Sequence, residues 1–150
     1  MNSEQQLQAS MIIWFSQRYP ERRGTLWSNF VTQNAMQANF KKSLGLVASL
    51  SDLMYIAPSI EGVRDKEFWG IELKTKGSRH EVAHIISQAK WLLSVPHRGF
   101  FCDSYEMFQD IIENKSQGID PALILKNCLL IKKKTASWEF IKNPEQIKNN

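Results

Sequence analysis

Phe68-Trp69-Gly70-Ile71-Glu72-Leu73-Lys74 is an apolar run that ends in an acid and an amine two residues apart. On a strand, positions i and i+2 share a face, so Glu72 and Lys74 point the same way while Ile71 and Leu73 pack behind them. Upstream, Gly45-Leu46-Val47-Ala48-Ser49-Leu50-Ser51-Asp52-Leu53-Met54-Tyr55-Ile56 reads as a turn leading into a second strand, with Asp52 at its start. Between the two lies Pro58 to Glu67, polar, charged and carrying a glycine, which marks a connection and predicts an antiparallel pair.

Outward from this pair the pattern alternates. Leu7, Met11, Ile12, Trp14 and Phe15 recur at helical spacing between a Ser3 N-cap and Pro20, with Glu4 in the first turn. Leu26 to Val31 suits a strand or a helix, and Met36 to Leu44 reads as a short helix stopped by Gly45. Lys76-Gly77-Ser78-Arg79 breaks the central strand. A long helix follows over Glu81 to Val95, on Val82, Ile85, Ile86, Ala89, Leu92 and Leu93, and Pro96 stops it. Gly99 to Asp103 is a buried strand, Ser104 caps a helix over Tyr105 to Asn114, and Pro121 to Ile131 and Ser137 to Ile141 are apolar segments of open type. This mixed order predicts an α/β sandwich around a small sheet.

The 150 residues suit one domain, and a hydrophobic share of 43% is enough for a core. No apolar run has membrane-spanning length, and Met1 to Gln6 is polar without a basic start, so an intracellular protein with no membrane partner is expected. Cys102 and Cys128 sit in apolar surroundings without metal-type spacing and read as buried free thiols. Nineteen Lys and Arg against fifteen Asp and Glu give a net charge of +4, compatible with a polyanionic partner without identifying one. Lys132-Lys133-Lys134 suits phosphate contact, but a solvated turn between two strands is the commoner fate of such a run. No Gly-rich phosphate loop is present, which leaves nucleotide hydrolysis without support.

An Asp beside a Glu-x-Lys on neighbouring strands is the residue set of a metal-dependent nuclease. Mg²⁺ is held by one or two carboxylates together with waters and phosphate oxygens, which Asp52 and Glu72 can supply with the Leu73 backbone carbonyl. Such a cation lowers the pKa of an attacking water and neutralises charge on the scissile phosphate. Lys74 would orient or deprotonate that water, or hold the phosphate electrostatically; the residues alone leave both roles open.

The run from Glu4 through Asn114 resembles the VRR-NUC branch of the PD-(D/E)XK nuclease superfamily, found as stand-alone phage or bacterial proteins and as a domain of larger DNA-repair nucleases. The resemblance rests on Ser3-Glu4-Gln5-Gln6-Leu7-Gln8 with Tyr19-Pro20, on Leu26-Trp27 leading to Asn34, and on a basic helix running into Gly45 and then Ser51-Asp52-Leu53. It continues through Ile71-Glu72-Leu73-Lys74 and Gln88-Ala89-Lys90-Trp91-Leu92 to Gly99 and Ser104. It departs from the family at Ser49-Leu50-Ser51, where a glycine-containing turn usually precedes the Asp. The resemblance implies a restriction-endonuclease-like core, a central mixed sheet flanked by helices. It implies Mg²⁺ or Mn²⁺ on Asp52 and Glu72, with Glu4 leaning toward the metal, Lys74 assisting catalysis, and Gln88 bonding near the phosphate or the lysine. Lys76, Arg79, His80 and His84 would border the DNA. Related stand-alone proteins suggest branched DNA, such as Holliday junctions or flaps, and cutting both strands of a symmetric junction calls for a homodimer. The family pattern covers about residues 3–118 and leaves 119–150 as an elaboration. Read from the residues alone, Glu4 is a first-turn acid favoured by the helix dipole.

A competing motif is His80-Glu81-Val82-Ala83-His84, which matches H-E-x-x-H. On one helix the two histidines would share a face and bind Zn²⁺, with Glu81 as general base and Glu106 as a third ligand, giving a zinc protease. Against this, His80 falls at the very start of its helix. A third class is a binding module that keeps the nuclease fold without chemistry. Trp69, Trp91 and Trp138 read as core.

Overall fold

A computed structural model describes residues 3–28 and 51–145. The expected helix over 36–44, together with Asn34, Gly45 and the 49–50 turn, lies outside the described residues. Strands β1 (Leu26–Ser28), β2 (Leu53–Ala57), β3 (Glu67–Leu73) and β5 (Arg98–Cys102) form a sheet in the order β1-β2-β3-β5. β1, β2 and β3 run antiparallel and β5 joins β3 in parallel, so the sheet is mixed. A second ribbon pairs β4 (Arg79–Glu81) with β6 (Thr135–Ser137), antiparallel.

The alternation of β3 sorts the two layers. Trp69, Ile71 and Leu73 face a core shared with Met11 and Phe15 of α1 (Ser3–Arg18) and Phe108, Ile111 and Ile112 of α3 (Tyr105–Ile112). Helix α1 stops one residue before Tyr19, and Pro20 opens a 3₁₀ turn. The helix is described from Ser3, whose hydroxyl donates to Thr75 Oγ1 at 3.5 Å, a contact with the turn beyond β3. Ser104 caps α3, accepting from the Met107 amide at 3.0 Å.

On the opposite face lie α2 (Val82–Ser94), α4 (Pro121–Leu130) and α5 (Trp138–Lys142). Their core joins Val82, Ile85, Ala89 and Leu92 to Phe101, Ile124, Cys128, Ala136, Trp138 and Ile141. Residues 121–142, of open type in the sequence, are therefore two helices and a strand that close this layer. The lysine run leads from α4 into β6 rather than between two strands. Two glycines let α2 lie close: a Cβ on Gly99 would strike the Leu92 carbonyl, and one on Gly70 would come within 2.8 Å of the Trp91 ring. Trp69 and Trp138 are fully buried, while Trp91 is half-buried, a correction to its reading as core. Both cysteines are buried thiols, and burial pushes Cys102 up to about 12 and Cys128 to about 11.

Candidate active site

The register of β2 against β3 pairs Leu53 with Ile71, which carries Asp52, just ahead of β2, to the Glu72–Leu73 end of β3. Asp52 Oδ2 accepts from the Leu73 amide at 2.8 Å. That bond fixes both the carboxylate and the backbone of the residue whose carbonyl was expected to act as a ligand. Glu72, on the α2 side of β3, is 3% exposed, and Lys74 is 2% exposed. The Lys74 amide donates to the Cys102 carbonyl at 2.9 Å, extending the ladder one residue past β3 and keeping Lys74 on the Glu72 face. Lys74 Nζ then stands 3.4 Å from Glu72 Oε1.

Gln88, on the buried side of α2, donates through Nε2 to the same Glu72 Oε1 at 2.7 Å. The resemblance implies a bond near the phosphate or the lysine, and Gln88 bonds the Glu72 oxygen that Lys74 also faces. Its Oε1 is buried without a partner among the described residues.

Burial first, and then the Asp52 carboxylate, raise Glu72 well above the usual carboxylate range, and Lys74 only partly opposes this. Glu4 is raised as well, by burial and then by Asp52, with Lys74 again opposing. Three acids and one lysine thus share one field, gathered from α1, the start of β2 and the end of β3. The donor set suits a hard cation, because a divalent ion beside Asp52 and Glu72 would relieve the carboxylate repulsion that now favours a proton on Glu72. Among the described residues no three His, Cys, Asp or Glu side chains form a complete metal cage. Mg²⁺ bound by two carboxylates draws its other oxygens from water and phosphate.

The zinc reading is corrected. His80 lies on β4 and His84 on α2, so the helical i, i+4 face that the motif requires does not exist. His80 Nε2 is 2.8 Å from Ser78 Oγ, which engages that ring nitrogen, and Trp138 meets the ring edge-on. Burial first, then Lys74 and His84, push His80 down to about 4. Glu106 joins no metal-holding group with these histidines. Lys76, Arg79 and His84 are exposed, and His80, half-buried, lies close enough to Lys74 to feel its charge.

The sequence reading missed the role of Gln88 toward Glu72, which depends on the helix-to-sheet distance that Gly70 and Gly99 set. It also missed the link from Ser3 to Thr75; no local signal marks either. No family model, no characterised protein and no solved structure matches the chain. No helix among the described residues is long and apolar enough to cross a membrane.

Proposed function

We propose that this chain is a Mg²⁺- or Mn²⁺-dependent deoxyribonuclease with a restriction-endonuclease-like core, the activity that the VRR-NUC resemblance implies. The observation that carries the reading is the convergence of Asp52, Glu72 and Lys74 at one end of the β2–β3 pair, with both Glu72 and Lys74 buried. A buried carboxylate and amine are expensive to desolvate, and a hydrophobic pair of the same volume would often be at least as stable. Perturbed ionisable groups clustered in this way mark functional sites.

In this reading Asp52 and Glu72 hold the cation, which when bound supplies an activated water and charge neutralisation at the phosphate. Asp52 is oriented by the Leu73 amide, and Glu72 by Gln88 and Lys74. Lys74, fixed by the Cys102 carbonyl through its own amide, offers its ammonium to a phosphate oxygen or to the attacking water. Branched DNA is the proposed substrate and a homodimer the proposed working form, both taken from the resemblance.

The test is cleavage of labelled linear, flap, single-stranded and four-way-junction DNAs with Mg²⁺, Mn²⁺ or EDTA. The expected result is metal-dependent cutting, strongest on a branched substrate. Asp52→Asn, Glu72→Gln and Lys74→Met should each cut at least about 100-fold more slowly. Cleavage that persists in Glu72→Gln, or in EDTA, overturns the assignment.

A further inference from the structure

The β4–β6 ribbon carries Arg79, and the bend that leads into β6 carries Lys132, Lys133 and Lys134, all exposed. Arg79 pairs with Ser137 across the ladder, and its Nη2 reaches Thr135 Oγ1 at 3.5 Å. At the other end the Val82 amide donates to the Lys134 carbonyl at 2.9 Å, pinning the Lys132–Lys134 bend to the first residue of α2. Just before the bend, the Ile131 amide donates to the Cys128 carbonyl at 3.1 Å and closes α4. The lysine backbone is therefore held at both ends while the three side chains are exposed.

Among the described residues, none of Lys76, Arg79, Lys132, Lys133 and Lys134 is in an ion pair. Residues 1–2, 29–50 and 146–150 contain no Asp or Glu. Glu81 is the carboxylate that the ribbon itself carries. Grouped cations on a fixed backbone repel one another and favour a ligand with repeating negative charge. From Arg79 to Glu81 the ribbon spans about 7 Å, close to two base-pair steps of a duplex.

We propose that the ribbon and the Lys132–Lys134 bend form a track for the phosphate backbone of duplex DNA leading into the Asp52–Glu72–Lys74 site, a choice of partner that rests on the nuclease reading. The chain itself joins track to site. Lys74 is followed by Lys76 and Arg79, and the Ser78 carbonyl accepts from the Trp138 amide at 2.8 Å, so the turn leaving the site and the ribbon form one unit. Leu129 and Leu130, exposed just ahead of the bend, are what a membrane surface would use instead, and the test separates the two.

The experiment is fluorescence anisotropy of a labelled duplex in EDTA across 50–200 mM salt, with cleavage in Mg²⁺ measured alongside. It compares wild type with Lys132→Gln/Lys133→Gln/Lys134→Gln and with a charge-matched control, Arg18→Gln/Lys66→Gln/Lys115→Gln. In the lysine variant the slope of log affinity against log salt should fall by about 2 to 3, with about tenfold or more loss of affinity. The control should stay near wild type. Equal losses in the two variants, or none in the lysine variant, overturn the track. Lysine-dependent duplex binding without cleavage upholds the track and fails the nuclease reading, whereas cleavage with unaltered binding does the reverse. Lysine-dependent binding to phosphatidylserine vesicles but not to duplex overturns the track in favour of a membrane surface.

Discussion

Gln88 Nε2 donates to Glu72 Oε1 at 2.7 Å, and Lys74 Nζ reaches that same oxygen at 3.4 Å. A neutral donor and a cation thus converge on one carboxylate atom. Gln88→Leu removes the neutral donor and also deletes the buried Gln88 Oε1 that has no partner among the described residues. Loss of such an orienting partner costs about 10- to 100-fold in metal affinity or activity. The expected outcome is a loss of that size in Mn²⁺ affinity by calorimetry, with the thermal midpoint nearly unmoved because an orphan acceptor leaves with the donor. A variant that binds Mn²⁺ as wild type does would remove Gln88 from the site.

Glu72 gives the metal-free protein a pH signature. Its carboxyl is raised in the folded state above the ordinary 4.5, chiefly by burial and then by Asp52, so above that pH the native state holds more protons than the unfolded chain. Stability therefore declines as pH rises from 4.5 through the raised value. Urea midpoints followed upward from pH 5 should show this slope in wild type in EDTA and a flatter profile in Glu72→Gln. Parallel profiles would contradict a Glu72 carboxyl raised by burial.

His80 acts in the opposite direction. Its folded-state value near 4 lies below the ordinary 6.5, so between those limits the unfolded chain binds the extra proton and stability falls as pH drops from 6.5 toward 4. His80→Gln should gain stability relative to wild type at pH 5 compared with pH 7. A mutant-to-wild-type difference that is the same at both values counts against a neutral, half-buried imidazole.

Trp138 tests whether the C-terminal segment belongs to the core. It is fully buried against Phe101, and its Nε1 donates to Asp103 Oδ2 at 3.1 Å. Trp138→Ala should cost about 3–5 kcal/mol in denaturant unfolding. A cost below about 1 kcal/mol would mean that the layer stands without it.

Gly99→Ala places a methyl on the Leu92 carbonyl, a backbone atom that cannot swing aside. The expected loss is about 1–3 kcal/mol by the same assay. Because α2 must then retreat from the sheet, Mn²⁺ affinity should fall with it. Unchanged affinity in a destabilised variant would uncouple the Gln88–Glu72 distance from this approach.

Local signals made the central pair legible. Alternation in Phe68 to Lys74 placed Glu72 and Lys74 together, the polar Pro58–Glu67 stretch predicted the antiparallel return, and Ser104 announced its helix. What stayed hidden depends on partners distant in sequence. Arg79–Glu81 are three polar residues with no strand pattern, and they become a strand because Thr135–Ser137 supply the ladder. For the same reason H-E-x-x-H misled: its letters fit a helix, but pairing at His80↔Ala136 pulls the first histidine out of it. The contact of Gln88 with Glu72 was equally out of reach, since it depends on how closely a helix lies over a sheet.

The bond from the Trp138 amide to the Ser78 carbonyl joins residues 60 positions apart, and the Arg79↔Ser137 pair beside it joins residues 58 apart. Contacts this distant in sequence close late, because the intervening chain must be ordered before they can form. During synthesis the turn after Lys74 would leave the ribosome well before the strand that braces it. A nascent chain would carry Arg79–Glu81 before any partner strand for them exists, so the ribbon would form only with the arrival of residues 135–138.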